Sequence, residues 1–482
     1  MNRRMVFNMA GKVVTATGLL LILPTLVALI YKEFKVFESF LIVAVAAILI
    51  GFAVIKITKP RTNVIYAKEG FLIVALTWLS MSLVGAVPFV LCGEIPNYAD
   101  AFFEIVSGFT TTGASVLPDV EALSHAALFW RSFSHWIGGM GILVFMLIFI
   151  PNMSDRSIHI LRAEMPGPVV GKLVPKATDT ARILYIIYLI MTATEIVLLF
   201  AGGMPFFDSM VHSFGTAGTG GFGIRGDSIM SYSPYCQWII AIFMFLFGIN
   251  FNLYYLLLIR RFKSVFRSGE LWAYVGISVG AVALICADIY SSCQNLGEAL
   301  RLSAFQVSSI VTTTGYSTAD FNLWPTFSKT ILLLLMIVGA CAGSTAGGMK
   351  VSRVVIIVKT IKMQIKALLH PRSVNSVKFE GKTVGDETLK SVNSYLGIYC
   401  LCLAGFFFVL SFDSFGDIET NISATIACFN NIGPGFGGVG PMANYDGYNY
   451  FSKIILSFAM LFGRLEIFPM IIFFSPSTWT KQ

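Results

Sequence analysis

The fold class this sequence predicts is an all-α polytopic membrane protein, and three observations lead to it. The 482-residue chain is 56% hydrophobic and only 12% charged, whereas a soluble domain carries about 25% charge. Apolar runs of spanning length recur from one end to the other, and the mean hydropathy is +0.77. A short uncharged motif rich in glycine and hydroxyls, Val311–Ser317, is repeated nearly letter for letter as Phe109–Ser115 and has looser copies at Gly218–Gly223 and Asn430–Gly435. Such self-similarity marks a chain built from internal repeats.

Residues 13–30 and 40–57 are the first two apolar runs, joined by a turn carrying Lys32, Glu33, Lys35 and Glu38. The basic Arg3-Arg4 pair ahead of an apolar run has the form of a secretory signal. No small-residue cleavage site follows it, so the run reads as an uncleaved first helix. A unit then recurs four times: a long apolar helix, a short half-polar helix, the glycine motif, an acidic loop and a second long helix. The paired long helices are 70–91 with 127–150, 183–202 with 236–259, 271–289 with 328–348, and 393–411 with 452–474. The short stretches between them are 98–112, 206–220, 298–314 and 417–432. Each is about 15 residues long, and a helix needs about 20 to cross hydrocarbon. They also carry Asp100, Glu104, Asp208, His212, Glu298, Gln306, Asp417 and Glu419, which lipid would penalise. Re-entrant helices buried among the long ones satisfy both facts. The expected organisation is two extra N-terminal helices (1–69) and four parallel repeats (70–181, 182–269, 270–392 and 393–482) around one pore, about ten spans in all.

Charge sets the orientation. With the N-terminus inside, the inner segments collect most of the 34 Lys and Arg, in clusters such as Arg260, Arg261, Lys263 and Arg267 and along 350–390. The loops beside the glycine motifs instead hold Glu94, Asp119, Glu121, Asp227, Asp320, Asp413 and Asp446. Both termini are then cytoplasmic and the motifs open outward. The net charge of +8 needs no nucleic acid to explain it. The eight cysteines lie mostly in apolar segments without ligand spacing and read as small hydrophobes, and nothing forms a catalytic constellation.

A short helix followed by an extended Thr/Gly run can point successive backbone carbonyls at one axis, replacing the water shell of a cation. The candidate ligands are Thr111, Thr112 and Gly113; Thr219, Gly220 and Gly221; Thr313, Thr314 and Gly315; and Asn431, Ile432 and Gly433. In the second copy an alignment on Thr216-Ala217-Gly218 is also open. Gly221 is preferred because Gly221-Phe222-Gly223, with Asp227 beyond, echoes Gly315-Tyr316-Ser317 with Asp320. The motifs carry no charged side chain, which favours a monovalent over a divalent ion. Gly218–Gly223 also matches G-x-G-x-x-G, but no strand–helix unit surrounds it. Gly343–Lys350 lacks the Gly-Lys-Ser/Thr ending of a phosphate-binding loop.

Two intramembrane outliers remain. Gly339–Gly348 should interrupt the second helix of the third unit, and irregular backbone at that depth must face protein or a water-filled cavity. Arg464, followed two residues on by Glu466, lies inside the last apolar run and is a functional candidate by default. Placed against the break, its five donors would satisfy freed carbonyls and set a positive charge in the path. The predicted gate is Gly343, Ser344, Thr345, Ala346, Gly347, Gly348 and Lys350 with Arg464, and the basic segment 349–366 is its lever.

On Ser107–Ala114, Thr312–Ser317, Asn430–Gly435, Cys341–Lys350 and Gly463–Phe468, the chain resembles the Trk/Ktr/HKT superfamily of potassium transporters, over essentially its whole length. The resemblance implies K⁺ as the transported ion, a pathway through four M1-P-M2 units, a homodimer in the plasma (inner) membrane, and gating by a cytoplasmic nucleotide-binding ring resembling TrkA. It implies no organic cofactor in this chain. Symport, with uptake coupled to H⁺ or Na⁺, stays open as the alternative to passive conduction.

Overall fold

The structure, a computed structural model, describes residues 2–60, 67–141, 177–371 and 375–479. It is almost wholly helical. An N-terminal hairpin of α1 (Arg3–Leu20), α2 (Ile22–Ile30) and α3 (Phe34–Ile57) leans on α4 (Ala67–Cys92). Four similar groups then follow. The first is α4, α5 (Tyr98–Phe109) and α6 (His125–Gly139). The second is α7 (Ala177–Ala201), α8 (Phe206–Gly218), α9 (Pro234–Phe247) and α10 (Phe251–Leu258), ending in a short α11 (Phe262–Phe266). The third is α12 (Gly269–Ile289), α13 (Leu296–Val311), α14 (Thr326–Val338) and α15 (Val351–Leu369). A two-stranded hairpin, β1 (Lys378–Phe379) and β2 (Lys382–Thr383), leads to the fourth: α16 (Asp386–Leu410), α17 (Ile418–Phe429), α18 (Tyr450–Arg464), α19 (Phe468–Phe474) and α20 (Pro476–Trp479).

Six helical segments among the described residues are long and apolar enough to cross a membrane, or seven with one bent pair counted as a span. Their outer faces keep large apolar side chains exposed, such as Leu401 (74%) and Phe408 (66%) on α16. Hydrocarbon is the solvent such a face requires. The expected count of ten is reached only if the second helices of the units, which among the described residues are each too short or bent to qualify alone, are also counted. The lower half of the first unit's second helix, 142–150, lies outside the described residues, as do Arg156, Arg162, Lys172 and Lys176.

The interruptions are visible in the local backbone. The stretch 236–259, expected as one helix, breaks at Gly248–Asn250 and turns by 90°. There the Asn250 side chain accepts from the Asn252 amide at 2.9 Å and caps a new helix. The last helix stops after Arg464, where Glu466 and Ile467 take φ of 56° and 68°, costly angles for a β-branched residue. The predicted break of the third unit is present and runs from Gly339 to Lys350.

The short helices start where sequence chemistry dictates. Asn97, Asn295 and Asp417 accept hydrogen bonds from Ala99, Glu298 and Thr420 amides as N-caps, and acidic residues follow in the first turns. Their bodies are buried at the centre of the molecule, through Phe103, Ile105, Val307 and Ile310 among others.

Candidate functional site

Each short helix ends in the same way. The amides of Thr112, Gly220, Thr314 and Ile432 bond back to the carbonyls of Ser107, Gly215, Ser309 and Ala427, at 2.9, 2.8, 2.8 and 2.9 Å. The amides of Thr111, Thr219, Thr313 and Asn431 bond to carbonyls three residues earlier. This pair of bonds is a Schellman closure, which needs a left-handed residue after the helix, ordinarily glycine. Here Thr111, Thr219, Thr313 and Asn431 occupy that position, with φ of 54°, 55°, 57° and 58°. A β-branched residue held there stores strain of about 1–3 kcal/mol. Two residues on, Gly113, Gly221, Gly315 and Gly433 have φ of 78°, 80°, 88° and 95°. The second loop thus has the geometry of the others with Gly221 in register, rather than Gly218, which ends the helix.

The four loops close a ring. A Cβ on Gly113 would strike the Gly220 carbonyl oxygen, one on Gly221 that of Thr314, one on Gly315 that of Ile432, and one on Gly433 that of Thr112. Every glycine therefore abuts the carbonyl of the residue preceding the glycine of the next loop, in the order first, second, third, fourth and back to first. None of these four oxygens accepts a hydrogen bond from the described residues. A cavity of about 100 Å³ adjoins the ring, lined by all four glycines, Ser115, Arg131 and Ser317 among others.

The ring is braced at every joint, and of the bracing side chains the sequence reading did not single out Arg131, His135 and Asn322. Between the first and second loops, His135 Nε2 accepts from the Phe222 amide at 3.3 Å. Its Nδ1 then carries the proton and donates to the Gly108 carbonyl at 2.7 Å. Arg131, buried and stacked 4.1 Å from the Phe222 ring centre, pairs with buried Glu104 at 2.7 Å. Glu104 in turn accepts from Ser115 Oγ and the Val116 amide. Between the second and third, the Tyr316 hydroxyl lies 3.2 Å from the Phe222 carbonyl, and the Ile229 amide donates to the Ser317 carbonyl. Asn322 bonds both polar groups of Gly437 between the third and fourth. Between the fourth and first, Asn431 Nδ2 donates to Thr112 Oγ1 at 3.0 Å and the Tyr445 amide to the Ser115 carbonyl at 2.8 Å. The available signal was Arg131 itself, an arginine within the apolar run 126–139.

The glycine-rich break lies directly against the ring where the short helices end. The Gly347 amide donates to Thr313 Oγ1 at 2.7 Å, and a Cβ on Gly347 would press on the Asn430 carbonyl oxygen at 2.5 Å. The freed backbone is satisfied from several repeats, as buried polar groups must be. The Cys341 amide donates to the Gly248 carbonyl at 3.1 Å, and the Phe251 amide to the Gly343 carbonyl at 3.0 Å, so the two broken helices interlock. Lys350, buried and with φ of 76°, donates to the Ala346 and Gly347 carbonyls. Arg464 donates through Nη1 to the Thr345 carbonyl at 2.7 Å. Its Nη2 reaches the Gly138 and Gly139 carbonyls at the end of α6, the latter at 2.9 Å. The expected juxtaposition of Arg464 with the break is present, and the arginine also ties the third repeat to the first. Ser344, Ala346, Gly348, Lys350 and Arg464 line a cavity of about 50 Å³ beneath the ring. Glu466 pairs not with its near neighbour Arg464 but with Arg353 on α15, at 2.5 Å.

Comparison with known proteins places this geometry. A family model described as TrkH, cation transport protein, matches residues 36–273 and 286–481. The chain belongs to the TrkH family. It is 36% identical over 494 residues to the Trk system potassium uptake protein TrkH of Salmonella typhimurium, covering all of both chains. To the Trk system potassium uptake protein TrkG of Escherichia coli it is 35% identical over 482 residues, with 99% and 98% of the two chains covered. The crystal structure of the potassium transporter TrkH from Vibrio parahaemolyticus superposes with a TM-score of 0.88 at 30% identity, over the full length of both. The TrkH relatives are thus similar to this chain end to end.

Proposed function

We propose that this chain takes up potassium across the plasma membrane through a pore on the axis of the four loops, each repeat contributing a helix, a re-entrant short helix and a second helix. The closed ring of four loops with one backbone geometry carries the reading. Carbonyls of Thr111, Thr112 and Gly113, Thr219, Gly220 and Gly221, Thr313, Thr314 and Gly315, and Asn431, Ile432 and Gly433 replace the hydration shell of the ion. The short helices direct their partially negative C-terminal ends at it. Braces such as Arg131–Glu104 and Tyr316 hold the ring at one diameter.

The break at 339–350 with Arg464 is the gate. In the closed state, loop and guanidinium occupy the axis beneath the filter, blocking it sterically and by charge. Opening requires the loop to leave Thr313 and Arg464, and α15, continuous with it and basic, is the lever on which a cytoplasmic nucleotide-binding ring acts. Two copies of the chain form the membrane unit. A 100 mV inside-negative potential supplies about 2.3 kcal/mol per charge, enough to concentrate K⁺ about fiftyfold without further coupling.

The test is rubidium and sodium flux into proteoliposomes holding the purified chain, with and without an imposed potential. Rubidium entry that follows the potential and exceeds sodium entry is expected. Flux indifferent to the potential and driven by a proton or sodium gradient would replace the channel reading with coupled transport.

A further inference from the structure

A polar connection runs from the surface hairpin to the glycine-rich loop. The β1–β2 turn is Glu380-Gly381, with φ of 49° and 73°, a two-residue turn with both central residues left-handed. Such turns favour Asn-Gly or Asp-Gly, and glutamate there is under strain. The side chain explains the choice. Glu380 Oε1 accepts from Ser268 Oγ at 3.1 Å and from the Glu270 amide at 3.0 Å, at the N-terminus of α12. Glu270, in the first turn of that helix and itself buried, turns its carboxylate the other way. Its Oε1 accepts from the Ala342 amide at 2.7 Å, inside the break. One turn of helix thus receives the hairpin on its outer side and holds the loop on its inner side.

The hairpin is also gripped by the elements flanking the gate. Phe379 is buried against Ile356 of α15 and Val392 of α16, and Lys359 Nζ donates to the Lys378 carbonyl at 2.9 Å. The hairpin also borders a cavity of about 850 Å³ lined by Leu256, Ser264, Arg267, Phe379 and Lys382 among others. It therefore has room to be displaced without first unpacking the bundle.

We infer that Glu270 is a positioning residue for the 339–350 loop and that the 378–383 hairpin, through Glu380, sets its position from the inner surface. This rests on the loop being the gate. Pushing the hairpin off α12 withdraws Glu380, frees the first turn that presents Glu270, and so releases the Ala342 amide. A partner bearing on the hairpin, rather than on α15 alone, then controls the loop.

The experiment uses the full chain in proteoliposomes or nanodiscs and reads two quantities: amide hydrogen exchange of peptides spanning 339–350, and basal rubidium flux. Glu380→Asn is the informative variant. Asn-Gly suits the turn better than Glu-Gly, but the shorter side chain cannot reach both Ser268 and the Glu270 amide. Exchange at least tenfold faster in 339–350, with higher flux, is expected from Glu380→Asn and Glu270→Ala. Glu270→Gln and Glu380→Gln, which keep an acceptor oxygen, should stay near the parent. A hairpin that served only stability would leave 339–350 protected in Glu380→Asn, and that outcome overturns the inference. Faster exchange with unchanged flux upholds the linkage and instead removes the gate reading. Glu270→Ala could fail to fold, and Glu380→Asn, on the surface, then decides alone.

Discussion

Arg464→Ala tests the proposed gate. In the parent the guanidinium serves the carbonyls of Thr345, Gly138 and Gly139, and only the first of these belongs to the break. A hydrogen bond to a charged donor is worth about 1.5–3 kcal/mol net. If closing the pore forms the Thr345 bond and opening breaks it, its loss shifts the closed–open balance by about 10- to 150-fold toward open. Removing the positive charge from the cavity beneath the ring acts in the same direction for an entering cation. The assay is basal rubidium flux into proteoliposomes without any partner, alongside Arg464→Lys. Lysine keeps the charge but, as a single point donor, cannot bridge Thr345 to Gly138 and Gly139, so it should fall between the parent and alanine. If both variants fold normally, by thermal melting and chromatography, and both stay as closed as the parent, the gate reasoning is wrong.

Other outcomes follow from the same geometry. Gly315→Ala places a Cβ on the Ile432 carbonyl at a left-handed φ of 88°, so the rubidium-to-sodium flux ratio should fall by about tenfold, the equivalent of roughly 1.4 kcal/mol. The same change at Gly276, where a Cβ meets open space, should leave the ratio unaltered. Arg131→Ala strands buried Glu104 and should destabilise the folded protein by about 3–5 kcal/mol, seen as early thermal unfolding. In the loop after α16, burial works to raise the Asp413 pKa, but hydrogen bonds from Phe415, Ser452 and Asn449 leave it below the ordinary carboxylate value. Its contribution to stability is therefore complete above the ordinary carboxylate pKa and lost as pH falls through the lowered one. Asp413→Asn should flatten that part of the acid limb of a melting-temperature profile and lower the neutral plateau, where the carboxylate's contribution is lost.

Much of this architecture is local in origin and therefore legible in the chain. Hydropathy marked the long helices because each must satisfy its backbone within itself. Asn97, Asn295 and Asp417 cap three of the short helices through purely local contacts, although the sequence reading did not single them out as caps. The four Thr/Gly runs carried the Schellman closures, because a left-handed residue and a following positive-φ glycine are requirements of three or four consecutive positions. The break at 339–350 was readable for the same reason, since a concentration of glycine cannot propagate a helix.

What the sequence could not decide depends on residues far apart along it. The bend at Gly248–Asn250 exists because that segment exchanges backbone hydrogen bonds with 341–343, a partner almost a hundred residues away. Nothing local in an otherwise apolar run demanded a right angle. Glu466 was two residues from Arg464 yet paired with Arg353, because the chain leaves the helix in between. The second loop's glycine-rich string left an alternative alignment on Gly218 open beside the preferred Gly221, and the contacts of this loop with Gly113 on one side and Thr314 on the other lie in the Gly221 register. The sequence alone determined that four loops exist and how each turns. Their assembly into one ring, with Arg464 and the break beneath it, was decided by tertiary packing, which alone brings together carbonyls contributed by four separate repeats.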